Sequence, residues 1–224
     1  MIEILAQLGA LVAVNKPSGL LVHNSEFAGP REVTLQEQLS RQFDHVCFPL
    51  HRLDRGTSGV VLFSTERSAV SDWQERLQST ECNKTYLALV RGLDAGPQGI
   101  DHPVRDDKGV SRDARSEIVR VEHSAVERVS LVWIRLHTGR MHQARLHLKH
   151  LSHPVIGDAN YGKGEWNRRF AAEYGLERLA LHALEVTIPG SAEPAGASGP
   201  LRIRAGLGPD LTGPLKMCGF LWGD

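Results

Sequence analysis

The apolar residues of this 224-residue chain fall in short segments that end at turn-forming residues, and none forms a long uninterrupted run. The segments 60–63 and 131–136 are apolar on both faces, Arg135 apart, whereas 84–92 alternates with a period of two. Further strand candidates are 11–14, 179–188 and 201–204. Strand candidates outnumber helix candidates and do not alternate with them regularly. The pattern therefore predicts an α+β fold with a mixed or antiparallel central sheet.

Helix signals are fewer. Thr34 and Glu37 have the spacing of a capping box ahead of a helix that extends to Phe43. Other helices are expected at 66–79, from about 140 to 151, and at 166–174, where Gly175 supplies a left-handed stop. The Gly-, Pro- and Asp-rich segment 94–111 predicts a long loop or a lobe boundary, and 190–200 predicts a flexible loop.

Charge and cysteine content exclude several classes of protein. The chain has 26 basic and 26 acidic residues, so its formal net charge is 0 and a uniformly basic coat is excluded, although a local patch is not. Cys47, Cys82 and Cys218 are odd in number and far apart, which favours a reducing compartment over a disulfide framework. We find neither a signal peptide nor an apolar run of membrane-spanning length, and so expect a soluble cytoplasmic protein with no membrane association.

The window 128–157 contains no acidic residue. It holds five cations and five histidines: Arg128, Arg135, Arg140, Arg145, Lys149, His137, His142, His147, His150 and His153. On its helix, the predicted buried stripe is Met141, Ala144, Leu148 and Leu151, and the adjacent cationic face is His142, Arg145 and Lys149. A basic window of this kind is suited to binding a polyanion, although a solvent-exposed basic helix face is the ordinary alternative. The histidine spacing does not fit a zinc site, so we expect no metal.

One acid, Asp54, lies between Arg52 and Arg55 in the segment His-Arg-Leu-Asp-Arg-Gly-Thr-Ser-Gly at 51–59. Two interpretations stay open: the carboxylate caps the turn through its own backbone, or it is an ionised nucleophile or general base on a rigid loop. The sequence has no phosphate loop, dinucleotide glycine fingerprint or Gly-x-Ser-x-Gly elbow. With these motifs missing, the sequence favours a reaction on an anionic substrate that needs no cofactor.

The 51–59 segment resembles the signature loop of the RluA-type RNA pseudouridine synthases. Other segments resemble that family's motifs in the same order: 14–19, 84–92, 138–145 with 153–158, and 181–183. The resemblance covers about residues 1–206. It implies the pseudouridine synthase fold, with helices and loops flanking the sheet around a cleft. It also implies a single catalytic domain over 1–224, in one or two lobes, with no N-terminal S4 domain.

The resemblance implies roles for individual residues. Asp54 would be the catalytic aspartate, Arg52 the arginine that enters the RNA helix where the target base leaves, Tyr86 the tyrosine against the uracil ring, and Arg145 the partner of the aspartate. We expect the RNA to be bound by Arg52, Arg55, Arg140, His142 and Lys149. A flipped base held by an aromatic face and cations agrees with these roles. The implied reaction converts uridine to pseudouridine without a metal or other cofactor.

The resemblance is greatest to tRNA-directed members of the family, so the expected substrate is a uridine in the acceptor-stem region of tRNA, and the enzyme is expected to act as a monomer. Three alternatives stay open: an rRNA-directed enzyme of the same family, a non-catalytic RNA-binding protein on the same fold, and a metal-dependent hydrolase that uses the histidines.

Overall fold

The computed structural model describes residues 1–24, 32–92, 96–106, 108–190 and 199–221, which form twelve strands and five helices. The strands are β1 (Glu3–Leu8), β2 (Leu11–Lys16), β3 (Phe48–Pro49), β4 (Ser58–Ser64), β5 (Asn83–Arg91), β6 (Gln98–Asp101), β7 (Val104–Arg105), β8 (Ser111–Arg112), β9 (Arg115–His123), β10 (Val129–Leu136), β11 (Leu181–Ile188) and β12 (Leu201–Arg204). The helices are α1 (Leu35–Phe43), α2 (Val70–Gln78), α3 (Gln143–His150), α4 (Gly164–Tyr174) and α5 (Pro209–Met217). The predicted α+β class is confirmed.

The chain divides into two compact units. Unit 1 consists of Met1–Asn83 and Ala183–Gly206, and unit 2 of Lys84–His182 and Leu207–Asp224.

In unit 1, β1, β2 and β4 are antiparallel neighbours, β11 lies beside β4, and β12 pairs with β11. Every residue of β4 is buried, as its continuous apolar sequence predicts. Gly59, the second residue of this strand, has φ +112°, and a Cβ there would lie 2.2 Å from the carbonyl oxygen of Ala183. Only glycine fits this close approach of β4 to the backbone of Ala183.

Helix α1 shows why the sequence signals for helices worked. The Thr34 hydroxyl accepts from the backbone N–H of Glu37 and the Glu37 carboxylate accepts from that of Thr34, which is the predicted capping box. Leu35 and Leu39 are fully buried. The core of unit 1 also receives Trp73 and Leu77 from α2, packed against β2 and β4.

In unit 2, the strands lie in the order β5-β10-β9-β6, each antiparallel to its neighbour, while β7 and β8 form a separate two-stranded hairpin. Helix α4 ends at Gly175 with φ +65°, the predicted stop. The C-terminal α5, which the sequence left without a role, buries Leu211 and Leu215. Asp210 pairs with Arg178 of the same unit at 2.8 Å.

Several segments differ from the sequence prediction. The helix expected at 66–79 is a 3₁₀ turn at Arg67–Ala69 followed by α2, and β1 and β9 were not predicted. Helix α3 begins at Gln143 and not near Arg140, because His142 adopts a left-handed φ of 56° at its N-cap. Met141 therefore lies before the helix and is 39% exposed, so its place in the buried stripe was wrong; Ala144 and Leu148 are buried as predicted. Leu151 is only half-buried at the C-cap.

A further difference is the segment 94–111. Its described residues contain β6, β7 and the start of β8, because Ile100 and Val104 are buried and anchor an otherwise polar stretch. Residues 93–95 and 107 lie outside the described residues, as do 191–198 of the loop predicted at 190–200. Within the described ranges, no helix is long and apolar enough to cross a membrane.

Candidate functional site

Asp54 lies in a turn of unit 1 immediately before β4. The backbone N–H of Thr57 donates to the carbonyl oxygen of Asp54 at 3.0 Å, and the Asp54 side chain is half-buried. Thr57 and Ser58, which follow in the chain, are buried. The carboxylate is thus carried by a short, hydrogen-bonded turn on a rigid strand, as both interpretations of this acid require.

A buried lysine stabilises the turn that carries Asp54. Lys16 is fully buried at the end of β2, and its ammonium group donates to the carbonyl oxygens of Pro17 at 2.9 Å, Leu20 at 2.7 Å and Arg55 at 3.1 Å. A buried cation is costly unless its donors are satisfied, and carbonyl oxygens supply that here. The ammonium therefore joins the 15–20 turn to the residue that follows Asp54.

Two further hydrogen bonds join the same segments. The Ser18 hydroxyl donates to the carbonyl oxygen of Gly56 at 2.8 Å, and the backbone N–H of Gly19 donates to that of Arg55 at 2.8 Å. The sequence identified 14–19 only as a turn and a family-like motif. Its structural use, as the support of the Asp54 turn, was missed because burial of Lys16 has no signature in a single sequence.

The two arginines beside Asp54 differ in their surroundings. Arg55 donates through Nε to the carbonyl oxygen of Gly19 at 3.0 Å and pairs with Glu32 at 2.9 Å. Arg52 is exposed and makes no hydrogen bond or ion pair with any other residue in the described ranges. Burial and the nearby Arg52 guanidinium lower the pKa of His23, so this ring is a neutral neighbour of the arginine at pH 7. Arg52 is thus the guanidinium available to a ligand, whereas Arg55 is committed to the loop.

Tyr86 and Arg145 belong to unit 2. Tyr86 is a half-buried residue of β5, opposite Ile134 of β10 in the antiparallel register. Arg145 lies in α3 and is buried, with its Nε and a terminal nitrogen donating to the two carboxylate oxygens of Asp158 at 2.7 and 2.8 Å. The sequence analysis did not identify Asp158 as a partner of Arg145, and the expected pairing of Arg145 with Asp54 stays a prediction.

The Asp158 carboxylate is buried to the same degree as its partner, with side-chain exposures of 1% and 8%. Burial alone would raise the pKa of Asp158. Hydrogen bonds from Arg145 and from the backbone N–H groups of Tyr161 and Asn160 outweigh burial and hold that pKa below its ordinary value. The pair is therefore ionised at neutral pH and fixes the guanidinium in one orientation.

Tyr161 is the centre of a cluster of basic side chains in unit 2. Its hydroxyl lies 2.9 Å from Nδ1 of His142, and its ring centroid is 4.8 Å from the Arg145 guanidinium and 5.4 Å from the Lys149 ammonium. Lys149 is exposed and His142 half-buried. Sequence reasoning missed Tyr161, although the motif 153–158 ends three residues before it. The structure thus brings together His142, Arg145 and Lys149, three of the predicted site residues, around one aromatic ring.

Arg140, the remaining predicted RNA contact, is exposed and donates through Nε to the carbonyl oxygen of Asp113 at 3.1 Å. His147 of the same window is fully buried between the Ser116 hydroxyl and the carbonyl oxygen of His102, and burial lowers its pKa. It therefore adds no charge to the window at pH 7. In the part of the chain that the structure describes, no three His, Cys, Asp or Glu side chains are grouped to hold a metal ion.

Comparison with known proteins shows which family the chain resembles. The sequence profile of the RNA pseudouridylate synthase family matches residues 10–150, which include Asp54, Tyr86 and Arg145. The tRNA pseudouridine synthase C of Vibrio cholerae is 35% identical over 242 residues, covering 98% of this chain and 97% of the relative. The protein of the same name from Haemophilus influenzae is 39% identical over 208 residues, covering 82% and 85%.

Solved structures give the same result at the level of the fold. Human RNA Pseudouridylate Synthase Domain Containing 4 is 24% identical with a TM-score of 0.77, covering 99% of this chain and 95% of its own. Human RNA Pseudouridylate Synthase Domain Containing 1 is 25% identical with a TM-score of 0.73, covering 94% and 86%.

Proposed function

The chain belongs to the RNA pseudouridylate synthase family and is an RNA pseudouridine synthase, and from this premise we propose that its substrate is a uridine in the acceptor-stem region of tRNA. The observation that carries the choice of tRNA is the similarity to tRNA pseudouridine synthase C, which extends over 98% of this chain. The cytoplasmic location and the monomeric state expected from the sequence stay predictions.

The reaction is an isomerisation within one nucleotide, with no group gained or lost. The C1′–N1 glycosidic bond of uridine breaks, the uracil turns, and a C1′–C5 bond forms. The proton that C5 loses is matched by one gained at N1. Because the base must leave its stack before C1′ can be reached, the protein has to stabilise an extruded nucleotide as well as the breaking bond.

We assign the role of nucleophile or general base on the flipped uridine to the Asp54 carboxylate. The support is its position on a turn whose backbone is held by Lys16, Ser18 and Gly19 directly after Asp54. Attack on C1′, addition to the uracil ring and a glycal-type route all use a carboxylate at this place.

Three other residues act on the flipped nucleotide in this proposal. Arg52, which makes no hydrogen bond or ion pair in the described ranges, fills the gap that the base leaves, since its planar guanidinium stacks on bases. Tyr86 lies against the uracil ring. Arg145, oriented by its ion pair with Asp158, is assigned as the partner of the catalytic carboxylate, as the family resemblance implies.

Pseudouridine mapping by carbodiimide-dependent primer extension tests the proposal. Unmodified tRNA and rRNA fragments are incubated with wild type, Asp54→Asn or the control Asp72→Asn, whose carboxylate is 74% exposed on α2. We expect a new stop in tRNA with wild type and Asp72→Asn, and none with Asp54→Asn. Filter binding should show that Asp54→Asn still holds the RNA, because the cations supply most of the affinity.

Other outcomes would contradict specific parts. A stop in rRNA alone would keep the chemistry and overturn the tRNA assignment. Equal stops with Asp54→Asn would remove this aspartate from catalysis. RNA binding by wild type without any stop would favour the non-catalytic RNA-binding alternative.

A further inference from the structure

A cavity of about 310 Å³ lies in unit 2, and none of the residues assigned above to the flipped base lines it. One wall is the β7–β8 hairpin and the other is the segment that leads into α3. The lining residues are Val104, Arg105, Asp106, Arg112, Gly139, Arg140 and Met141. Since one water occupies about 30 Å³ of liquid volume, the space holds a group of phosphate and sugar size.

The charge of this cavity is strongly positive. Three arginines and one aspartate line it, so the formal charge is 3 − 1 = +2. Asp106 pairs with Arg112 at 3.1 Å. Arg105 and Arg140 have no carboxylate partner among the described residues, since their guanidinium groups donate only to the carbonyl oxygens of Gly109 at 3.5 Å and Asp113 at 3.1 Å. Two guanidinium groups therefore keep donors for a ligand.

The wall that carries Arg140 is fixed by Gln143, which is 2% exposed. The Gln143 amide oxygen accepts from the backbone N–H of Arg140 at 3.0 Å and from the Thr138 hydroxyl at 2.7 Å. Its amide nitrogen donates to the carbonyl oxygen of Arg115 at 2.9 Å and to the Ser116 hydroxyl at 3.0 Å. The segment before α3 is thereby joined to the start of β9, and this wall of the cavity is preorganised.

We propose that this cavity binds a backbone phosphodiester of the RNA substrate, with Arg105, Arg112 and Arg140 as the donors. The inference rests on the proposed function, which supplies the polyanion. Guanidinium forks match phosphate oxygens in a bidentate manner, and three of them around one concavity suit a phosphate better than a neutral base edge. The site adds Arg105 and Arg112 to the RNA contacts and makes the β7–β8 hairpin part of the RNA-binding surface.

The pairing of Arg112 with Asp106 gives the proposal a variant that should act in the opposite direction. Oδ1 of Asp106 accepts from the backbone N–H groups of Val110 at 2.8 Å and Lys108 at 3.1 Å, and its Oδ2 accepts from Arg112. Asp106→Asn keeps an oxygen for the two N–H groups and so keeps the turn. It removes the negative charge and releases Arg112 to the ligand.

The experiment measures the Kd of unmodified tRNA by fluorescence anisotropy at several salt concentrations, together with pseudouridine formation at saturating tRNA. We expect Arg105→Ala and Arg112→Ala to weaken binding roughly three- to tenfold, as for the loss of one typical hydrogen bond to the ligand. For each variant, the slope of log K against log[salt] should fall by about 0.7 to 0.9. Asp106→Asn should tighten binding. Arg202→Ala is the matched control, since Arg202 is exposed and also faces a carboxylate, Glu185 at 3.6 Å.

Unchanged Kd and salt slope for Arg105→Ala and Arg112→Ala would overturn the inference, as would weaker binding by Asp106→Asn. These failures are distinct from failure of the proposed function. Wild type that forms pseudouridine while the variants bind like wild type refutes this site alone. Wild type that forms none, with the expected changes in Kd still present, refutes the proposed function and leaves the phosphate site standing.

Discussion

Replacement of Asp158 by asparagine isolates the buried ion pair of unit 2. The Asp158 carboxylate receives two donors from Arg145, at 2.7 and 2.8 Å, and the backbone N–H groups of Asn160 and Tyr161, both at 3.0 Å. Asparagine keeps one oxygen for the backbone groups. It places an NH₂ group where a carboxylate oxygen faced the guanidinium, so the charge of Arg145 loses its partner while staying buried.

The expected cost follows from that burial. Removing one partner of a buried pair costs about 3–5 kcal/mol, because the remaining charge is neither solvated nor neutralised. The side-chain exposures of 1% and 8% place this pair in that class. We therefore expect Asp158→Asn to lower the free energy of unfolding by roughly 3–5 kcal/mol, a large part of the 5–15 kcal/mol typical of folded proteins.

Urea unfolding at pH 7, followed by far-UV circular dichroism, measures this change. The control is Asp72→Asn, the same substitution in an exposed pair with Arg76 at 3.7 Å, where a change under about 1 kcal/mol is expected. If Asp158→Asn costs no more than the control, the reasoning that the guanidinium depends on this carboxylate is wrong.

The same pair predicts a dependence on pH. The folded pKa of Asp158 lies below its unfolded value of about 3.9, so the folded state binds fewer protons and the pair stabilises the protein above that unfolded value. This stabilisation is lost as the pH falls through the lower, folded pKa. The stability difference between wild type and Asp158→Asn should therefore be constant from pH 7 to about 5 and shrink below about 4. A difference that grows toward low pH would contradict the assignment.

Two further substitutions test the support of the Asp54 turn. Lys16→Met keeps the length of the side chain but removes the donors of three hydrogen bonds. We expect kcat for pseudouridine formation to fall at least roughly tenfold and KM to change less, because the substitution disturbs the turn and not the RNA-binding cations. A folded variant with the wild-type kcat would refute this. Gly59→Ala places a Cβ 2.2 Å from the Ala183 carbonyl oxygen at φ +112°. We expect it to lower the free energy of unfolding, measured by heat or urea, by more than about 3 kcal/mol. The control Gly99→Ala, whose Cβ would have no atom within 4 Å, should lower it far less.

Local signals predicted the elements whose determinants are local. The Thr34 and Glu37 side chains cap α1, and Gly175 ends α4, because both interactions span only a few residues. The start of α3 was mislocated because the left-handed conformation of His142 is imposed by its surroundings and not by its residue type. Met141 then fell outside the helical periodicity that had assigned it to the core.

The candidate site was predicted in part for the same reason. Asp54 and Arg52 were identified from a contiguous segment, whereas the role of Lys16 depends on a contact with Arg55, 39 residues away. Asp158 lies one residue beyond the acid-free window that contains its partner Arg145. Contacts between distant residues leave no pattern in a single sequence, so the supports of the site could be found only in the structure.

Pairing of charges also changes where unit 2 can attract RNA. Counted along the sequence, the window 128–157 contains five cations. Two of them are paired in the structure: Arg135 lies opposite Glu117 in the β9–β10 register, with a nitrogen-to-oxygen distance of 3.4 Å, and Arg145 is paired with Asp158. Exposed cations of the window without a carboxylate partner in the described ranges include Arg140, which lies beside the arginines of the β7–β8 hairpin outside the window. A run of like charges in a sequence therefore overstates the field on α3 and omits the hairpin. Arg145, held by its ion pair, is suited to orienting a reacting group, whereas the affinity for phosphate should depend more on the hairpin arginines.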